Sequence, residues 1–328
     1  MNVLLALLLG VPPAFFYAIF IYWLDRYEKE PLLLVGAVFL WGAVVATGGA
    51  FIINTIFGVS VYLFTGSEEL TEIATGSVSA PLVEESLKGL AVLIVFLIFR
   101  KEFDSLLDGV VYAAVAALGF AATENSFYIY NYGTSTGGIA EIAFIAFIRN
   151  VVVGWQHPFY TAFIGIGLAL ARTNRNTLLK FIFPLAGWGL AVFTHSFHNT
   201  MAVFISDFGG FFLTSLVDWS GWFFMFGLII FFISREQKFL RQYLQEEVDL
   251  GNITAAQFKT ACSSLAASKA RFSALTSGKY APTNKFYQQC AELAHKKAQL
   301  AKLGEQKAAP EIEKIRALMA QLAPNALT

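Results

Sequence analysis

Pro81-Leu82-Val83-Glu84-Glu85-Ser86-Leu87-Lys88-Gly89 lies inside an apolar run that extends from Val78 to Phe99. A charged side chain at the centre of a bilayer costs about 2.5–3.5 kcal/mol on insertion scales. Three of them within about one helical turn must face one another, water or a substrate. Glu84 and Lys88 are four residues apart and share a helix face, with the acid N-terminal to the base as such pairs prefer. At ~3.6 residues per turn, Glu85 points about 100° away from Glu84. One carboxylate can therefore be held by Lys88 while its neighbour stays free to work, and Glu84 is the one on the lysine's face.

The surrounding composition makes this a membrane problem. The chain of 328 residues is 56% hydrophobic and 14% charged, where a soluble domain carries about 25% charged residues. Several runs exceed the ~18 apolar residues that mark a spanning helix. The expected fold is an all-α polytopic transmembrane bundle of about seven spans, near residues 2–24, 32–57, 78–99, 106–130, 142–171, 180–205 and 211–233. The first run has no basic flank and is too long for a signal peptide's apolar core. It reads as a span kinked at Pro12-Pro13. The fifth is long enough to begin with a short re-entrant or interfacial piece near Glu141–Asn150.

The formal net charge of zero hides an asymmetry. Residues 235–328 hold 14 Lys and Arg against 8 Asp and Glu, while residues 1–234 hold 9 against 15. The expected division is a membrane domain over 1–234 and a polar, basic, helical tail over 235–328. Arg26 and Lys29, Arg100 and Lys101, Arg172 to Lys180, and Arg235 to Arg241 follow the odd-numbered spans, and the alternate loops carry no Lys or Arg. Basic residues mark the cytoplasmic side, so the N-terminus is expected outside and the C-terminus in the cytoplasm of a bacterium's inner membrane. Lys88 and Arg149 are the exceptions and read as intramembrane or interfacial. The tail reads as a small helical domain or, alternatively, as a module that docks a cytoplasmic partner. Its His295, in Ala294-His295-Lys296-Lys297, reads as part of a solvated face. Cys262 and Cys290 form no C-x-x-C motif, which indicates neither a disulfide framework nor a thiolate metal site. Nothing points to a nucleic acid.

Further polar residues recur inside the apolar runs. The fourth carries Glu124-Asn125, with Tyr128 on the face of Glu124. The fifth carries Asn150, His157 and Thr161 in one stripe, with Pro158 expected to free the carbonyl of Gly154. The sixth carries His195 and Asn199 at i, i+4, with His198 within reach of the same face. Structural readings exist for each: an interfacial, solvated Glu124, or a His157 bonded to a neighbouring carbonyl. At ~1.5 Å per residue, however, Glu84, Glu85, Glu124 and His195 fall at one depth on antiparallel helices, and His157 joins them if its spanning helix starts near Asn150. That agreement points to a single shared site opening toward the outside. It offers carboxylates, imidazoles, an amide and a cation, but no serine aimed at a base. The chemistry it suits is water activation, with a Glu taking the proton and a His or Asn stabilising the oxyanion. Glu/His sets also bind zinc, although the spacing is not the His-Glu-x-x-His pattern. The expectation is therefore no cofactor and no metal, with zinc as the less favoured version.

Glu84-Glu85-x-x-Lys88, Phe120-x-x-x-Glu124-Asn125, His157-Pro158 and His195-x-x-x-Asn199 occur in that order, after Leu24-Asp25-Arg26-Tyr27-Glu28-Lys29-Glu30-Pro31 in the first loop. Over roughly residues 12–233 the chain thereby resembles the PrsW family of intramembrane proteases, relatives of the CPBP/Abi family that includes the CAAX prenyl endopeptidases. The resemblance implies a glutamate-type endopeptidase that cuts a single-span, membrane-anchored protein near the outer side, an anti-sigma factor in the namesake case. It implies that Glu84 and Glu85 are the catalytic pair, oriented by Lys88. It further implies that Glu124 stands where the CAAX relatives use a histidine, that His195 and Asn199 form the oxyanion site, and that His157 is a further catalytic or positioning group. Two other classes fit the same polar set: a proton-coupled transporter or channel, and an inactive homologue that only binds a membrane protein. No convincing inverted repeat favours the transporter.

Overall fold

The computed structural model describes residues 3–25, 27, 29–132, 138–204, 208–304, 306 and 308–328. Arg26 and Glu28 of the first-loop motif lie outside the described residues, as do 133–137 and 205–207. Every regular element among the described residues is helical. The chain is an integral membrane protein of the expected all-α class. Residues 1–22 and 30–227 form one compact unit, and residues 23–29 and 228–328 a second.

The first unit contains α1 (Val3–Leu24), α2 (Leu32–Leu40), α3 (Thr47–Thr65), α4 (Glu68–Ala74), α5 (Ala80–Ile98), α6 (Leu106–Tyr132), α7 (Ile139–Phe147), α8 (Gln156–Arg172), α9 (Leu179–Phe204) and the first half of α10 (Phe208–Asp249). A π turn over Trp41–Ala46 joins α2 to α3, and another over Thr75–Ser79 joins α4 to α5. Among the described residues, five helical runs, Val3–Leu24, Leu32–Thr65, Leu106–Tyr132, Ile139–Arg172 and Phe212–Asp249, are long and apolar enough to cross a membrane. Two other expected spans correspond to α5, which carries Glu84, Glu85 and Lys88, and α9, which carries His195, His198 and Asn199. Their polar cargo is what lowers their hydropathy.

Two boundaries differ from the sequence reading. Residues 58–77 are not an open loop: helix continues to Thr65 because Val59–Phe64 is still largely apolar. Gly66 then ends it in the left-handed region (φ 68°), the conformation glycine adopts without steric cost. Ser67 caps the next helix by accepting from Leu70 N–H at 3.2 Å. The fifth run is also broken. A π turn over Ile148–Val152 leads to a non-helical step at Val153–Trp155, after which α8 starts afresh. Pro158 therefore sits in the first turn of α8, where no amide hydrogen is needed, and initiates that helix; it does not kink a continuous one.

α6 is the core of this unit, with 19 of its 27 residues buried. Its Ala- and Gly-rich sequence lets neighbours approach to backbone contact, the usual means of close helix packing in membranes. A Cβ on Gly109 would lie 2.3 Å from the carbonyl oxygen of Gly165, and one on Gly165 would lie 1.9 Å from that of Gly109. α8 is thus pressed against α6, and the Gly167–Gly187 approach presses α9 against α8 in the same way. These contacts bring the histidines of α8 and α9 beside the acids of α5 and α6.

In the second unit α11 (Ala255–Ala261), α12 (Ser264–Thr276), α13 (Tyr280–Ala298) and α14 (Ala308–Leu322) pack with the C-terminal half of α10. Leu240, Leu244, Phe286, Leu293 and Met319 form the core, and Tyr27 of the first loop is buried among them. Glu247 accepts from Lys297 (2.8 Å), Arg316 (2.7 Å) and Asn252 (2.7 Å). His295 is buried and not solvated: its Nε2 lies 2.7 Å from Glu236 and its ring packs on Phe239. In the basic last turn of α13, His295 and Lys297 meet acids of α10 and Lys296 meets Glu311 of α14, pairings across helices that reading the turn alone does not reveal. Both cysteines are free and buried, and burial pushes the Cys262 thiol up to about 11.

If the α6–α8 approach carries the fold, Gly165→Leu must push the helices apart. Overpacking costs about 1–3 kcal/mol or more, so the variant's thermal midpoint in detergent falls clearly below the parent's. An unchanged midpoint contradicts the packing described.

Candidate active site

Six of the seven residues singled out from sequence meet in one buried cluster between α5, α6, α8 and α9. Lys88 is fully buried, and its Nζ donates to Glu85 Oε1 at 2.6 Å. The same ammonium lies 3.2 Å from His157 Nδ1, 3.7 Å from Glu84 Oε2 and 4.4 Å from the centre of the Phe120 ring. Glu85 is also fully buried and saturated. His195 Nδ1 is 2.9 Å from its Oε1, and Thr161 Oγ1 donates to its Oε2 at 2.7 Å. Glu85, not Glu84, is therefore the carboxylate that Lys88 holds most closely. An i, i+3 pair meets on a helix as readily as i, i+4, and His195 and Thr161 draw Glu85 to the same place.

Glu84 is the free partner. Its Oε2 is buried and has no hydrogen-bond partner, and lies 4.0 Å from His195 Nε2. That separation is too long for a hydrogen bond and is one that a single bridging atom spans. A neutral imidazole has one N–H and one lone pair. With Nδ1–H given to Glu85, His195 presents the lone pair of Nε2 toward Glu84. Tyr160 stacks on the His195 ring at 4.9 Å and fixes its plane.

His157 stands on the first turn of α8. Its Nε2 is 2.9 Å from Glu124 Oε2, and the Lys88 ammonium faces its other nitrogen. Glu124 also accepts from Arg149 Nη2, and Arg149 Nε donates to Asn125 at 2.9 Å. Glu124 is thus the far anchor of a chain of charge that runs from Arg149 through His157 to Lys88. Asn150 does not join His157 and Thr161 in one stripe, because the break at Val153–Trp155 separates them. Its amide donates to the carbonyls of Leu9 and Ala146.

Asn199 is not turned toward the carboxylates. Its amide donates to Gly76 O at 2.8 Å and Ser196 Oγ to Ser77 O at 2.5 Å, so this turn of α9 holds the π turn that leads into α5. His198, three residues past His195, pairs with Asp218 of α10 at 2.9 Å, and Gln156 donates to the same carboxylate. Asp218 is not among the residues singled out from sequence, and this pairing was missed. A lone acid among Leu213, Leu216, Val217 and Trp219 was the available signal.

The donor set also suits a metal. Single ligand atoms of Glu84, His157 and His195 lie within 4.8 Å of one another. Two imidazoles and a carboxylate are a known catalytic zinc set, the unpartnered Glu84 oxygen is a free ligand atom, and each ring is backed by a carboxylate, Glu124 or Glu85, as metal-bound histidines usually are.

The PrsW family profile, described as "PrsW family intramembrane metalloprotease", matches residues 30–234. The chain belongs to the PrsW family of intramembrane proteases. The matched stretch contains the whole cluster. Among relatives named Protease PrsW, that of Clostridioides difficile is 41% identical over 107 residues, covering 33% of this chain and 43% of the relative. That of Oceanobacillus iheyensis is 29% identical over 205 residues, 61% of this chain and 86% of the relative. That of Geobacillus kaustophilus is 33% identical over 163 residues, 50% of this chain and 65% of the relative. No solved structure gives a significant match. PrsW proteins are peptidases by name.

The asymmetry between the two glutamates is measurable as stability. Removing the charge of Glu85 leaves Lys88 buried without its nearest counter-ion, and breaking a buried pair costs about 3–5 kcal/mol. Glu85→Gln therefore unfolds well below the parent in detergent, while Glu84→Gln, whose Oε2 has no bond to lose, stays close to it. The reverse ranking contradicts the assignment of Glu85 as the tied carboxylate.

Proposed function

We propose that this PrsW protein is an endopeptidase that cleaves a single-span membrane protein, of the anti-sigma-factor class, near the outer side of the bacterial cytoplasmic membrane, with Glu84 activating water. The observation that carries the reading is the buried, unpartnered Glu84 Oε2 facing His195 Nε2 at 4.0 Å. A water in that gap donates one hydrogen to the His195 lone pair and the other to Glu84. Glu84 takes its proton as the water oxygen bonds to the scissile carbonyl carbon. The Lys88 ammonium, held by Glu85, stands ready to stabilise the oxyanion. The C–N bond then breaks, and the proton passes from Glu84 to the leaving amine. Glu85 and Thr161 position Lys88 and His195, while Glu124 and Arg149 position His157. Asn199 has its amide on Gly76 and is a scaffold in this scheme, not an oxyanion donor.

The distribution of Lys and Arg between loops supports an outward N-terminus and a cytoplasmic tail domain over 235–328, and the resemblance of the motifs supports the substrate class. A transporter would not need the saturated Glu85 beside a free Glu84, and a binding-only homologue would have no use for it.

A second reading is favoured by the family's description and the donor set. Glu84, His157 and His195 would hold a divalent metal ion, which when bound supplies Lewis-acid polarisation and a more acidic water. In that case Lys88 must give up its contact with His157 Nδ1.

Purified full-length protein in detergent, a panel of single-span peptides and a strong chelator separate these readings. Cleavage that survives chelation and falls by about 10²–10⁴-fold in Glu84→Gln is the expected result. Loss on chelation with recovery on added zinc establishes the metal reading and overturns the metal-free one. Full activity in Glu84→Gln contradicts both.

A further inference from the structure

The second compact unit presents a surface that catalysis does not use. Between Leu250 and Ala291 the sequence contains Lys259, Lys269, Arg271, Lys279 and Lys285 and no Asp or Glu. α12 lies in the middle of this acid-free stretch. Its inner side is Ala267, Ala270 and Ala274, all buried. Its outer side leaves Leu265 79%, Phe272 70% and Leu275 57% exposed. Leu265, Lys269 and Phe272 follow an i, i+4, i+7 spacing and form one stripe, with Leu275 beside Phe272 at i+3. A large apolar face with cationic neighbours is the pattern of a helix lying in a membrane interface.

Tyr27 ties the start of this stripe to the segment that follows α1. α1 ends at Trp23-Leu24, and Trp is enriched where spans leave the hydrocarbon. Tyr27 follows three residues later, within about 11 Å of chain from that point. It is buried in the core of this unit, and its hydroxyl accepts the N–H of Ser264, the first residue of α12, at 3.2 Å. The start of α12 is thus held by the chain segment just past the end of α1.

We propose that α12 is an interfacial helix: Leu265, Phe272 and Leu275 enter the headgroup region of the leaflet on the tail's side, and Lys269, Lys279 and their basic neighbours take anionic lipid headgroups. Charge selects this occupant. A second copy would bring the same exposed lysines to this face and repel, whereas an anionic leaflet complements them.

The test uses the full chain in nanodiscs of phosphatidylcholine with or without phosphatidylglycerol. Spin labels are placed at Leu265→Cys and Phe272→Cys, with Glu313→Cys, an exposed acidic position on α14, as the water reference. The native thiols are buried, so labelling falls on the introduced cysteine. Labels at 265 and 272 are expected to be relaxed several-fold more by oxygen than by a water-soluble nickel complex, the reverse holding at 313. Immersion deepens with phosphatidylglycerol and recedes in a Lys269→Glu/Lys279→Glu background. Values at 265 and 272 matching those at 313 overturn the proposal. So does dipolar broadening between labels on two copies, which identifies the occupant as a second chain. Immersion indifferent to lipid charge overturns the headgroup assignment.

Discussion

A buried ammonium inside a membrane protein cannot stand alone, and Lys88 has its counter-ions arranged around it. Glu85 lies at 2.6 Å and Glu84 at 3.7 Å, with a ring nitrogen of His157 at 3.2 Å. In a low-dielectric interior such contacts are strong when made and costly when broken. Lys88 comes from α5, His157 from α8, and Glu85 is shared with His195 of α9 and Thr161 of α8. The lysine therefore fixes the relative positions of three helices, and the close approach of α6 and α8 at Gly109–Gly165 makes that arrangement reachable. Because Lys88, His195 and Thr161 converge on Glu85, Glu84 is left with a buried oxygen that has no hydrogen-bond partner. The asymmetry between the two glutamates follows from how one carboxylate is tied down, not from any difference in residue type.

Much of this was legible in the chain. Charges are expensive in hydrocarbon, so Glu84, Glu85, Lys88, Glu124, His157 and His195 stood out by cost, and antiparallel helices put them at one depth by counting residues. Which glutamate Lys88 takes could not be read that way. Both i, i+3 and i, i+4 are within reach, and the choice is made by His195 and Thr161, more than 70 residues away in sequence. Asn199 illustrates the same limit. Helical spacing placed it on the face of His195, but the carbonyl of Gly76, exposed by a π turn that no periodicity announces, captures its amide. The break before α8 removed Asn150 from the stripe for a similar reason. Asp218 was overlooked although it stands buried well inside α10, because its partner His198 comes from another helix.

The tail shows the complementary case. Its helical character and basic charge were plain, whereas the burial of His295 depends on Glu236 of α10, 59 residues earlier in the chain, and that of Lys296 on Glu311 of α14. The burial of Tyr27 within this unit gives that residue of the first-loop motif Leu24–Pro31 a structural role: it is a point at which the tail's core takes in a residue from the start of the chain.

The central claim is that Glu84 acts on water and does not itself attack the carbonyl. The most direct measurement is a single turnover of a single-span peptide in ¹⁸O-enriched water, with mass analysis of the new C-terminal fragment and of the enzyme peptide containing Glu84. The account predicts one ¹⁸O in the first-turnover product and none in Glu84. An unlabelled first product, with the label appearing in the Glu84 carboxylate, would mean that the glutamate forms a covalent intermediate and would contradict it.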